Sequence, residues 1–174
     1  MYEPPRFWEI PRKLKEKKDR KKQEKADLAE ANQEFCSTFE RLHIVFRVLD
    51  KQEIKKYLKA WVRFYTPPEK SRRQVRNLCL SSRKYTPYLW HMFSFEFLPC
   101  KNDKEAEKAY SLVKKGSCIL FDNINHLAYR LENGDAITID VLKNFIDVTV
   151  TAKDFSWTYS QTHEECCGPY FYKK

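Results

Sequence analysis

Two histidines carry most of the chemistry this chain could perform. His163 follows Phe155, Trp157, Tyr159 and Gln161 at a spacing of two, so an extended C-terminal segment puts it on the ring-bearing face. Asp154, Ser156, Thr158, Ser160, Thr162 and Glu164 fall on the opposite face. His91 sits in the same way among Leu89, Phe93, Phe95 and Phe97 in the stretch Tyr88 to Leu98, which reads as a long central strand. Two imidazoles on apolar strand faces could meet beneath one sheet. With Glu164 or Glu96 they would make an acid–base or metal-binding constellation, because imidazole changes charge near neutral pH. The plainer role for each is that of a hydrogen-bonded core histidine. No HExxH or paired-cysteine spacing occurs, so no metal centre is expected.

Other side chains invite weaker readings. Trp90, Trp157, Asp154 and Tyr159 are candidate binding residues, although the rings equally suit core packing and Asp154 suits a turn cap. Ser94 and Cys100 lack the strand–turn–helix elbow of an exposed nucleophile. Asp147, Asp154 and Glu164 show no paired-carboxylate spacing. Three glycines in 174 residues argue against a phosphate-cradling loop.

The elements that would position these groups can be read from periodicity. Ile44, Phe46 and Val48 alternate as a short strand. Asp50 and Glu53 have capping-box spacing ahead of Ile54, Tyr57, Leu58, Trp61, Val62 and Tyr65, and Pro67-Pro68 closes that helix. Residues 69–77 suit a short basic helix, and Asn102-Asp103 opens another that carries Ala106, Ala109, Tyr110 and Val113. Cys118 to Phe121 and Leu127 to Leu131 read as strands joined by the turn Asp122 to Asn125. Thr138 caps a short helix, Val148 and Val150 mark a further strand, and a tight turn at Ala152-Lys153 leads into the last one. After it, Gly168-Pro169 turns Tyr170-Phe171-Tyr172 back onto the body as an aromatic clip.

The expected fold is α+β, a mainly antiparallel sheet of about five strands with three to four helices packed on it. Residues 41–174 form the single domain, and residues 1–40 a charged extension, helical or disordered.

The net charge of +9 is uneven. Residues 1–85 hold 23 Lys/Arg against 12 Asp/Glu, and residues 86–174 hold 10 against 12. Arg72, Arg73 and Arg76, with the run 12–25, could therefore face nucleic-acid phosphate. That run is interleaved with Glu16, Asp19 and Glu24 and lacks aromatic residues, which suits a solvated tail. Met1-Tyr2-Glu3-Pro4-Pro5 has no apolar stretch, no membrane span is present, and a cytoplasmic protein with reduced thiols at its six cysteines is expected.

Leu89-Trp90-His91, Phe93-Ser94, Asp154-Phe155 before Trp157-Thr158, Thr162-His163-Glu164 and Gly168-Pro169-Tyr170-Phe171 occur in an order that resembles the bacterial domain-of-unknown-function family numbered 4275. The resemblance covers about residues 43–174; residues 1–40 and Cys166-Cys167 lie outside its pattern. It implies a small cytosolic bacterial protein and supplies no activity, cofactor or catalytic residue.

The leading expectation is a non-enzymatic module that binds another protein, with an immunity-like or antitoxin-like role as one version and no cofactor. The alternatives are a small hydrolase-like enzyme using His91 and His163, and a nucleic-acid binder working through the basic N-terminal half.

Overall fold

Asp50 starts the helix that anchors one side of the sheet. In the computed structural model, which describes residues 9–80 and 88–174, its carboxylate accepts the amides of Gln52 and Glu53 while Glu53 reaches back to the Asp50 amide. That closed capping box begins α2 (Lys51–Tyr65), and Leu58, Trp61, Val62 and Tyr65 form its buried stripe.

The chain divides into two units at Thr38. The first holds all of α1 (Glu9–Arg41) except its last three residues, and residues 14–30 are exposed throughout. Its side chains bond mostly to one another one turn apart, as Arg20 does to Glu24 at 3.6 Å and Gln23 to Asp27 at 2.7 Å.

The second unit holds a single antiparallel sheet. β1 (Phe46–Val48), β2 (Lys101–Asn102), β3 (Cys118–Asp122), β4 (Leu127–Leu131), β5 (Val148–Ala152), β6 (Trp157–Gln161) and β7 (Tyr170–Lys173) lie in the order β1-β4-β3-β5-β6-β7-β2. Seven strands stand where about five were expected. The additions are the two-residue β2 and the C-terminal aromatic segment, which pairs with β6 instead of folding back as a clip. Gly168 makes that entry possible: its φ is +72°, and a Cβ there would meet the Tyr170 ring at 3.0 Å.

Helices cover both faces. On one, Ile119, Phe121, Ala128 and Tyr170 pack with α2, α3 (Arg72–Cys79) and the single-turn α4 (His91–Ser94). On the other, Tyr110 of α5 (Asp103–Leu112) meets the rings of Tyr159 at 4.5 Å and Trp157 at 5.9 Å. The single-turn α6 (Ile139–Leu142), capped by Thr138, joins that side, and Phe39 packs on Tyr129 at 5.1 Å. Beside α1 of the extension, five α-helices among the described residues stand where three to four were expected, two of them of one turn each.

The face beneath α2 is unusually rich in hydroxyls. Thr149, Thr151, Thr158 and Ser160 are fully buried there, and each is satisfied. Thr149 pairs with Ser160 at 2.9 Å, Thr151 donates to the Trp157 carbonyl, and Trp61 Nε1 donates to Thr158 at 3.3 Å.

One expected element is overturned. The stretch 88–98 is a turn and helical loop around α4, not a central strand. Its amides close back on carbonyls three to five residues earlier, from Met92 to Leu89, Phe93 to Trp90 and Phe97 to Met92. Apolar residues at both parities fit a buried helical turn as well as a two-sided strand, so alternation could not separate the two.

Candidate functional site

The focus of the face beneath α2 is Asp147, the residue before β5. Its backbone carbonyl accepts the Asn123 amide at 3.0 Å, which fastens the end of β3 to the start of β5. Its side chain is completely buried. Oδ1 accepts Asn123 Nδ2 at 2.7 Å, and Oδ2 accepts Trp90 Nε1 at 3.2 Å. His163 Nδ1 lies 2.7 Å from the same Oδ2. Asn123 Nδ2 extends the network to Thr149 at 3.2 Å, and so to Ser160.

Three donors on one carboxylate fix the tautomer of His163. A carboxylate only accepts, so Nδ1 carries the hydrogen and Nε2 is the outward nitrogen. Nε2 stands 3.4 Å from Glu164 Oε1, an ion pair while the ring is protonated. The His163 side chain is 31% exposed. A buried carboxylate behind a half-exposed imidazole holds the ring in one orientation, which suits recognition of a polar group or transfer of a proton at Nε2.

His91 joins the same aromatic group from α4. Its Nδ1 donates to the Leu78 carbonyl at 3.1 Å, and its ring lies 4.3 Å from Trp90, 5.3 Å from Tyr88 and 5.2 Å from Phe95. His163 meets the same pair, Tyr88 at 5.7 Å and Trp90 at 6.1 Å. The two imidazoles thus flank one Tyr88–Trp90 pair, reaching it from a helical turn and a loop and not from two strand faces. His163 lies beyond the end of β6 and turns toward Trp90, away from the ring face of Trp157 and Tyr159. Phe155 also leaves the alternation, with φ +61° in the turn and its ring against Phe64 and Tyr65.

The four candidate binding residues separate. Trp90 is part of the Asp147 network, whereas Tyr159 is buried on the opposite sheet face, where burial raises its phenol above the ordinary range. Trp157 stacks on Phe171, and Asp154 accepts the Ser156 amide, a turn cap that pulls its carboxyl below the usual value. Glu96 lines a cavity of about 580 Å³ with Ser94, Cys100 and Tyr170, and no hydrogen bond or ion pair joins it to either imidazole. Burial pushes the Cys100 thiol up to about 11, which suppresses thiolate at neutral pH. Arg72, Arg73 and Arg76 are exposed on α3, whose Val75 and Cys79 are buried.

Sequence reasoning missed Asp147 and Asn123. A signal was present, because a hairpin turning near residues 152–156 pairs Val148 with Gln161 and so brings residue 147 beside residues 162–163.

Among the described residues, no group of three His, Cys, Asp or Glu side chains is placed to hold a metal ion, and no helix is long and apolar enough to cross a membrane. No curated protein and no solved structure matches the chain. Residues 33–171 match the family described as "Domain of unknown function (DUF4275)", and the chain belongs to that family.

Proposed function

We propose that this member of the DUF4275 family is a binding module that presents the Tyr88–Trp90–His91–His163 group to a partner protein. The observation that carries the reading is the shared oxygen: Asp147 Oδ2 holds an indole and an imidazole at once, in one fixed arrangement. Rigid rings with a polar outward atom lose little entropy on binding, which is why such residues dominate binding hot spots. Exposed apolar side chains cluster along the same segments. Phe95, 55% exposed, is in ring contact with His91, and the exposed Ile124 and Ile146 immediately follow Asn123 and precede Asp147. An immunity-like or antitoxin-like role is one form such a module takes, by analogy of size alone.

The test is quantitative recovery of a partner from the source cell by the full chain, compared across surface variants. Phe95→Asp and Ile146→Asp are expected to lower recovery of a stoichiometric partner by about tenfold or more. Leu112→Asp, at the end of the helix packed on the other sheet face, is expected to leave it unchanged. Equal loss in all three variants, or no stoichiometric partner for the unaltered chain, removes the reading.

A second reading rests on the Asp147–His163 contact alone. The same orientation suits a small hydrolase-like enzyme in which Nε2 of His163 takes a proton from water. His163→Gln would then abolish turnover of a responsive ester, amide or phosphoester, whereas His91→Gln would reduce it less. Absence of turnover across those three classes counts against it.

A further inference from the structure

A second charged site lies away from Asp147. Lys114, Lys115 and Lys153 line a cavity of about 520 Å³ where β3 begins and β5 ends, together with Ser117, Asp154 and Trp157. We propose that this cavity binds the phosphate group of a small phosphorylated molecule through those three ammonium groups.

Three lysines that line one concavity repel one another unless a counter-charge lies between them. Among the described residues, none of the three lysines makes an ion pair with a carboxylate. The nearest acids are committed elsewhere. Asp135 accepts the amides of Lys115 and Gly116 at 2.8 and 3.4 Å, and Asp154 accepts that of Ser156 at 3.0 Å.

Lys115 is not an ordinary surface lysine. It is 7% exposed, and its Nζ stands 4.4 Å from the centroid of the buried Tyr110 ring. Burial lowers its pKa, with Asp135 opposing the shift. The Ser117 hydroxyl on the same wall is buried without a partner.

The wall is built rather than loose. Gly134 donates to the Gly116 carbonyl at 2.7 Å, and a Cβ on Gly134 would stand 2.4 Å from Cys118 Sγ, so only glycine permits that approach. Lys153 is tied across by its amide to the Ser117 carbonyl.

Phosphate fits this arrangement better than carboxylate. Lysine acts on an anion as a compact point charge, and a phosphate monoester offers three charged oxygens to three ammonium groups. A carboxylate carries a single negative charge, against nearly two on a phosphate monoester, and so compensates three ammonium groups less well.

Titration calorimetry on the full chain tests this with inorganic phosphate, adenosine monophosphate and acetate. Saturable binding of phosphate, or of the monophosphate alone, with acetate about tenfold weaker or more, is the expected result. The first pattern marks free phosphate as sufficient, and the second marks a phosphate ester as the ligand. Lys115→Met is expected to weaken binding about tenfold or more, and Lys114→Gln with Lys153→Gln, both exposed and so neutral for folding, by a similar factor. Lys59→Gln on the exposed side of α2 should change nothing. Acetate binding as tightly as phosphate, no saturation by about 10 mM, or equal losses in Lys59→Gln and the cavity variants overturns the proposal.

Discussion

Asp147 and Lys115 are both buried charges, and the chain treats them in opposite ways. Asp147 is surrounded by donors from three separate segments, the residue after β3, the turn before α4 and the segment after β6. Lys115 has an aromatic face and one neighbouring acid, Asp135, whose oxygens serve backbone amides. Burying an ion is costly in proportion to how poorly its hydration is replaced. The carboxylate is therefore complete within the fold and acts as a structural hub that also orients His163. The ammonium is incomplete, and its missing counter-charge is what a ligand would supply.

The largest expected effect breaks the completed site. Asp147→Ala leaves the buried Trp90 Nε1 without its acceptor, releases His163 Nδ1 and leaves the Asn123 amide only Thr149, and about 3–5 kcal/mol of stability should be lost in chemical denaturation. Asp147→Asn keeps the volume but sets an amide nitrogen against at least one of the three donors, so a smaller loss of about 1–3 kcal/mol is expected. A change below about 1 kcal/mol in the alanine variant would mean the network is not the hub described here.

Lys115 should respond with the opposite sign. Lys115→Met removes a buried charge that has no carboxylate partner and exchanges its contact with the Tyr110 ring for a thioether–ring contact, so stability should stay level or rise by about 1 kcal/mol. Denaturation of the variant without added anion checks this. A loss as large as that of Asp147→Ala would show that the chain itself satisfies the ammonium and would erase the contrast between the two sites.

Replacing both members of a satisfied buried pair by apolar groups should cost little. Thr149→Val with Ser160→Ala removes both hydroxyls of the 2.9 Å contact, and about 1 kcal/mol or less should be lost, although the Asn123 amide loses one of its acceptors. Ser160→Ala alone leaves Thr149 its bond to Asn123 and should change even less. A larger loss in the single variant than in the double one would show the hydroxyl strip to be coupled more tightly than its distances indicate.

What the sequence disclosed follows the range of the interactions involved. α2 and its capping box depend on residues three or four apart, and Asp50, Glu53 and the apolar stripe declare them. The β3–β4 hairpin is equally local: Asp122 accepts the amides of Ile124 and Asn125, as its place in the turn suggests. Tyr88 to Leu98 was misread because a run apolar at both parities has no informative period, so tertiary packing against α3 and the sheet decides its form. The site was half legible. His91 and His163 stood out by type and do flank the same rings, but Asp147 has an unremarkable sequence context, and its importance comes from three partners 16 to 57 positions away. Lys115 was hidden for a related reason: burial of a lysine in a Lys-Lys-Gly-Ser run cannot be read without the Tyr110 ring that covers it.

A third charged pair, open to water, gives the smallest effect and sets the scale for the other two. Arg47 grips Glu53 with two bonds of 2.7 and 2.8 Å, and this contact, with the Asp50 amide, holds the Glu53 carboxyl down to about 2 from an ordinary 4.5. Because the folded value lies below the unfolded one, the contribution is fully present above about pH 4.5, shrinks as pH falls, and is gone below about pH 2. Arg47→Gln should therefore flatten the pH dependence of stability within that acid window and leave denaturation at neutral pH little changed, since exposed pairs are screened by solvent. If the acid window is unaltered in the variant, Arg47 is not what holds the Glu53 proton off. Adding about 0.5 M salt should then separate the classes, weakening the Arg47–Glu53 effect while leaving the Asp147 network untouched, because screening reaches charges in water and not those enclosed by the sheet and its helices.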